Sequence, residues 1–228
     1  MFNRIALRYD FLNRFLSIGT DLYWRKKAIR ELKDLRPGKL LDVATGTGDM
    51  AILMTKYLRP NEIIGIDISE GMLDVGRKKI AKLKLKTPIT LYLGDSEAIN
   101  FPDHTFDGVT VAFGVRNFEN LEKGLGEMLR VLKPNGKLVI LEFSKPKQSG
   151  FRSLYRFYLG SIAPGLVQLF SKKKAYQYLN KSVYSFPEGE TFLNIMHEAG
   201  FTQTYLKPLS LGICTIYCGR KESPGFMS

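Results

Sequence analysis

Between residues 39 and 143, short apolar runs alternate with longer stretches in which apolar positions recur every three or four residues. The runs predict strands at 39–44, 62–67, 89–94, 106–113 and 137–143, and the stretches predict helices at 49–58, 70–83 and 120–132. The strand runs are apolar nearly throughout, the pattern of strands covered on both faces, and strands joined by helices of this length run parallel. Pro134-Asn135-Gly136 reads as the turn from the third helix into the fifth strand. After Phe143 the alternation lapses for about forty aromatic and basic residues, which read as a helical cap or insertion. A helix at 188–199, closed by Gly200, then leads to strands near 201–206 and 213–219. The expected architecture is α/β and Rossmann-like: a seven-stranded, mostly parallel sheet with helices on both faces and a helical cap. A chain of 228 residues suffices for one large core. We divide it into an N-terminal helical lid (1–36), a cofactor-binding core (37–142), a basic aromatic cap (143–187) and a closing helix and strands (188–228).

One strand exit carries the most chemistry. Leu40-Leu41-Asp42-Val43-Ala44 runs into Thr45-Gly46-Thr47-Gly48-Asp49, an apolar strand meeting a glycine-rich turn that opens a helix. Glycines suit such a turn because a side chain would block the approach of backbone to a ligand. Edges of this kind are where open α/β sheets bind ligands. Formally, Gly46-Thr47-Gly48-Asp49-Met50-Ala51 fits the dinucleotide pattern G-x-G-x-x-A. A dinucleotide, however, brings an anionic pyrophosphate to the helix N-terminus, where Asp42 and Asp49 would repel it. S-adenosylmethionine, with a sulfonium, an ammonium and one carboxylate, is a net cation and suits the same spot. Two further acids extend the pattern. Asp67 ends the second strand, where a carboxylate can accept both ribose hydroxyls. Asp95, in Gly94-Asp95-Ser96 after the third strand, can accept the adenine amino group. Each acid alone could be a helix N-cap or a solvated loop residue. Three at successive strand ends point to S-adenosylmethionine as cofactor and methyl transfer as the chemistry.

Hydrophobic residues make up 44% and charged residues 25% of the chain, ordinary for a globular protein. The net charge of +12 is unevenly spread: residues 143–187 hold eight cations and no Asp or Glu. Aromatics including Phe151, Tyr155, Phe157 and Tyr158 share that segment. An amphipathic helix packed on the sheet, a membrane-facing cap and a nucleic-acid surface all fit it. With no recognisable RNA-binding module, nucleic acid is not expected as a partner. The uncharged run 157–170 is shorter than a membrane span and contains Gly160, Pro164 and Gln168. The opening MFNRIALRYD lacks the apolar core of a signal peptide. A cytoplasmic protein is expected, peripheral on the inner face of the membrane. Cys214 and Cys218 read as small side chains on one face of a buried strand, with no disulfide or metal role.

Longer motifs resemble one family over nearly the whole chain. Phe2-Asn3-Arg4-Ile5-Ala6, Arg8-Tyr9-Asp10, Asn13, Leu16-Ser17, Gly19 and Trp24-Arg25 look like the N-terminal signature of the ubiquinone/menaquinone biosynthesis C-methyltransferases. Gly114-Val115-Arg116-Asn117-Phe118 is a second match. Glu127-Met128-Leu129-Arg130-Val131-Leu132-Lys133-Pro134 is a third, continuing through Gly136 to Leu141-Glu142-Phe143-Ser144-Lys145-Pro146. Asn135 departs from the family, which usually has a second glycine there. The resemblance implies methylation of a ring carbon of a polyprenylated quinol. Demethylmenaquinol comes ahead of a ubiquinone-pathway benzoquinol, because the stretch after Pro146 is closer to the menaquinone members. It also implies that Thr47, Asp67, Asp95 and Ser96 contact S-adenosylmethionine, with Gly46 in the same loop. An RNA methyltransferase and an inactive S-adenosylmethionine-binding partner remain as alternatives.

Methyl transfer to carbon is an in-line displacement, and the ring carbon gains electron density when the neighbouring quinol hydroxyl ionises. The protein must then offer a base, or a cation that stabilises the phenolate. Arg116, just past the fourth strand, is the catalytic candidate. Its guanidinium stays protonated and would stabilise a phenolate, directly or through water; its other reading is a structural ion pair or carbonyl tether. Asn117 would orient substrate or cap the next helix. Tyr9 would contact substrate and, with Asp10, complete the lid, unless both simply pack at a helix start. His104 lies in the polar turn Pro102-Asp103-His104-Thr105 and His197 on the late helix; neither is expected to be the base. The base and the oligomeric state, a homodimer included, stay open.

Overall fold

The computed structural model describes residues 19–146, 182 and 185–223. Its seven strands are β1 (Lys39–Val43), β2 (Glu62–Asp67), β3 (Ile89–Leu93), β4 (Phe106–Ala112), β5 (Leu132–Phe143), β6 (Thr202–Leu209) and β7 (Cys214–Arg220). They form one sheet in the order β3-β2-β1-β4-β5-β7-β6. The first five run parallel, and β7 runs antiparallel to both β5 and β6. The chain builds outward from β1 to β3, then returns across the sheet to β4. That reversal leaves a crevice at the carboxyl ends of β1 and β4, the usual ligand position in open α/β sheets.

Side-chain alternation sorts the strands' apolar residues into two layers. Leu40, Ile63, Val139 and Leu141 pack with α1 (Asp21–Arg30) and α2 (Asp49–Tyr57). Leu41, Val43, Ile64, Leu138 and Ile140 pack with α4 (Leu121–Val131) and α5 (Glu190–Glu198). Between α2 and α4 in the chain, α3 (Glu70–Ala81) lies against β2 and β3. Two helix starts carry side-chain caps: Ser69 Oγ accepts from the Met72 N–H, and Asn120 Oδ1 from the Lys123 N–H. Trp24 pins α1 to the sheet. It is fully buried, meets Phe143 edge-on, and donates from Nε1 to Ser210 Oγ at 2.8 Å.

Each expected strand and helix of the core is present, with ends shifted by a few residues. The exception is Pro134-Asn135-Gly136. It is not a turn between elements but an irregularity within β5, where pairing with β4 jumps from Phe106–Leu132 to Gly108–Lys137. Asn135 there adopts φ 63°, and a Cβ on Gly136 would lie 2.7 Å from the Lys133 carbonyl oxygen. Cys214 and Cys218 are both buried and free in β7, and burial pushes the Cys218 thiol up to about 12. The residues of the lid before Gly19, Tyr9 and Asp10 included, and most of the cap lie outside the described residues. Among those described, no helix is long and apolar enough to cross a membrane.

Candidate active site

A cavity of about 230 Å³ occupies the crevice. Its floor is the turn from β1 into α2, where Ala44, Gly46 and Gly48 adopt φ of 51°, 58° and 80° and reverse the chain. The exit from β4 passes close by. A Cβ on Gly114 would lie 2.5 Å from that of Ala44, so this approach requires glycine.

Three carboxylates follow the strand order. Asp42, at the end of β1, is buried and accepts from Thr45 Oγ1 at 2.6 Å and Thr110 Oγ1 at 2.7 Å. Burial pushes its carboxyl up to about 6 against the pull of those two hydroxyls. Asp67, at the end of β2, accepts from the Gly46 N–H at 2.8 Å and the Ser69 N–H at 2.9 Å. Burial raises its pKa, and the two N–H groups oppose the rise. Asp67 thus ties β2 to the glycine turn while a carboxylate still has lone pairs to offer a ligand. Asp95, beyond β3, is exposed and accepts from the Glu97 N–H at 2.9 Å. Two strand spacings separate Asp42 from Asp95, roughly 10 Å. That is the scale of a nucleoside.

Gly46, Thr47, Asp67, Asp95, Ser96 and Asn117, six of the residues expected from sequence, all line this cavity. Asp49 also lines it, but Lys79 Nζ sits 2.7 Å from its carboxylate and 3.0 Å from Thr47 Oγ1. The charge argument against a pyrophosphate therefore rests on Asp42 more than on Asp49. Even so, the described lining residues include the carboxylates of Asp42, Asp49, Asp67, Asp95, Glu97 and Glu119 against the lone cation of Arg25.

Arg116 is placed otherwise than expected. It is not among the described residues lining the cavity, and its side chain is 5% exposed. Nη1 donates to Glu142 Oε1 and to the Phe113 carbonyl oxygen, both at 2.6 Å. Its guanidinium lies over the Phe143 ring, 5.6 Å from the centroid. These contacts make the ion pair and carbonyl tether that formed the other reading of this residue. Through the tether Arg116 holds Phe113, a non-glycine residue at φ 61° that does line the cavity.

Sequence reasoning assigned no role to Arg25, Ile68 or Phe113. Ile68 follows Asp67 directly, is 67% exposed, and lines the cavity with Gly94, an apolar surface suited to a planar base. An apolar residue next to the acid that ends β2 was the available signal. Arg25 sits on α1, and no local pattern ties it to the glycine turn.

A model of the ubiE/COQ5 methyltransferase family matches residues 1–221. The chain is 47% identical over 222 residues to a protein of Bacteroides fragilis named demethylmenaquinone methyltransferase, covering 97% of this chain and 91% of that one. It is 48% identical to the ubiquinone/menaquinone biosynthesis C-methyltransferase UbiE of Geobacter sulfurreducens, over 97% of this chain and 87% of that one. Among solved structures, an S-adenosylmethionine-dependent methyltransferase from Aquifex aeolicus superposes with a TM-score of 0.62 at 21% identity, covering 86% and 89% of the two chains. That last likeness is one of fold.

Proposed function

Because the chain belongs to the ubiE/COQ5 methyltransferase family, we propose that it transfers the methyl group of S-adenosylmethionine to a ring carbon of a polyprenylated quinol, with demethylmenaquinol as substrate. The observation that carries this is the 47% identity, across 97% of the chain, to a protein named for that reaction. The cavity's lining fits the cofactor, since six carboxylates against one cation among the described lining residues suit a ligand of net positive charge. When bound, the cofactor supplies an electrophilic methyl group on a sulfonium.

The chain's own residues bind and orient. Asp67 accepts the ribose hydroxyls, Asp95 and Ser96 meet the adenine edge, and Gly46 and Thr47 line the passage between them. Asp42 supplies negative potential beneath the amino-acid arm. Asn117, on the cavity wall, orients the quinol. Arg116 acts as a positioning residue, holding Phe113 against the reacting centre through its carbonyl. Ordering two reactants in this way can supply roughly 7–11 kcal/mol of a barrier.

A polyprenyl quinol stays in the bilayer, so the enzyme visits an anionic membrane surface, and residues 143–187 supply the cations and aromatics for that contact. Replacing Lys172, Lys173 and Lys174 by Gln should weaken binding to anionic vesicles; equal binding by variant and parent would remove the segment from the contact. The reaction itself is tested with labelled S-adenosylmethionine and three acceptors side by side: demethylmenaquinol, a methoxybenzoquinol and bulk RNA. Label is expected in the naphthoquinol. Label confined to the benzoquinol would move the enzyme to the ubiquinone pathway, and label in RNA would overturn the proposal.

A further inference from the structure

Arg25 is a cation without a full set of partners. It lies one helical turn after Asp21 in α1, and its side chain is only 8% exposed. Charges removed this far from water are normally answered by hydrogen bonds or a close counter-ion. Here the carboxylate of Asp21 comes only to 4.0 Å from Nε, beyond hydrogen-bonding distance. The buried Nε has no hydrogen-bond partner. The group lies over the Phe113 ring, 5.2 Å from its centroid, which engages the face of the guanidinium but not the N–H donors in its plane.

Its position in the cavity indicates what could answer it. The sheet order lays Asp95, Asp67 and Asp42 in a row at the ends of β3, β2 and β1. The next strand along is β4, which leads into Phe113, and Arg25 stands on that ring. Its charge also reaches Asp42, where it pulls the carboxyl down against burial. A nucleoside with its base at Asp95 and its ribose on Asp67 would run its remaining arm over Asp42 toward Phe113. That arm in S-adenosylmethionine carries one ammonium and one carboxylate. The carboxylate is the ligand's single anion, and Arg25 is the single cation among the described lining residues.

Resting on the reading of this cavity as the S-adenosylmethionine site, we propose that Arg25 receives the carboxylate of the cofactor's amino-acid arm. The guanidinium offers a fork of N–H donors matched to a carboxylate. With its side chain largely buried and Nε without a hydrogen-bond partner, it has little solvation left to lose when the ligand arrives. It would fix the arm's far end and so set the direction in which the sulfonium presents its methyl group.

The test compares two ligands that differ only in this carboxylate, S-adenosylhomocysteine and its decarboxylated analogue S-adenosyl-3-thiopropylamine, by calorimetry on the full chain. The wild type should prefer S-adenosylhomocysteine. Arg25→Met, which keeps an apolar stem against Phe113, should weaken S-adenosylhomocysteine by roughly 10- to 100-fold, the range of a charge-assisted hydrogen bond. The same variant should bind the analogue as the wild type does, which also shows that the cavity is intact. Arg25→Lys should keep part of the preference. A variant that retains the full preference, or weakens both ligands equally, overturns the assignment. So does intact S-adenosylhomocysteine affinity with lost quinol turnover, which would give the cation to the substrate. A wild type that binds neither ligand overturns the cofactor reading itself.

Discussion

Removing the Arg116 guanidinium tests whether this residue acts by holding the site or by touching the substrate. Its pair with Glu142 has side chains 5% and 0% exposed and a 2.6 Å contact. Glu142 also accepts from the Phe143 N–H at 2.8 Å and the Arg116 N–H at 3.4 Å, so it would keep some hydrogen bonds but lose its counter-ion. Breaking one side of a buried pair typically costs about 3–5 kcal/mol, because the surviving charge stays buried. The Phe113 carbonyl would lose its donor as well, at about 1 kcal/mol. Arg116→Met should therefore destabilise the fold by about 4–6 kcal/mol, a large share of the 5–15 kcal/mol typical of a domain. Arg116→Met with Glu142→Gln removes both charges and should recover about 2–4 kcal/mol of that loss, a coupling far larger than distant sites show. Urea unfolding of the wild type, both single variants and the double variant gives the cycle, with S-adenosylhomocysteine affinity and turnover measured alongside. If Arg116→Met unfolds at the wild-type midpoint while kcat falls by about 10²–10³, the loss expected for a group that stabilises developing charge, the structural account is refuted and Arg116 becomes a catalytic residue.

Asp67→Ala should weaken S-adenosylhomocysteine by about 1.5–3 kcal/mol, the scale of a charge-assisted hydrogen bond; an unchanged Kd in a folded variant would take Asp67 out of the site. Asp42 predicts a pH dependence. Its carboxyl is raised from 3.8 to about 6, so between those values the folded state binds more protons than the unfolded one. Its contribution to stability should then fall as pH rises from about 4 to about 6 and level off above, by about 2–3 kcal/mol at most. Asp42→Asn should flatten that slope in urea titrations, and an unaltered slope would assign it to other groups. The ionised carboxylate also favours a cationic ligand, so S-adenosylmethionine affinity should rise with pH through about 6 in the wild type and not in Asp42→Asn.

The layers were legible in the sequence because they depend on periodicity within each element. Leu40 and Leu41 are both apolar because β1 is covered on both faces, and the two side chains enter opposite layers. The acids Asp42, Asp67 and Asp95 were legible for a related reason. Parallel strands joined by helices end at one edge, so residues at successive strand ends converge without any knowledge of tertiary contacts. Pairings between elements were not legible. Arg116 meets Glu142 across 26 residues, Lys79 neutralises Asp49 across 30, and Arg25 reaches the cavity from a helix that precedes β1. Each depends on which strands are neighbours and how a helix is rotated on the sheet, and no repeat of apolar positions encodes that. Pro134-Asn135-Gly136 shows the same limit from the other side: its local preference for a turn is satisfied inside β5, because pairing with β4 resumes one residue beyond it. Periodicity sets which face of each element is buried, whereas the partner of each buried charge is settled only when the faces meet.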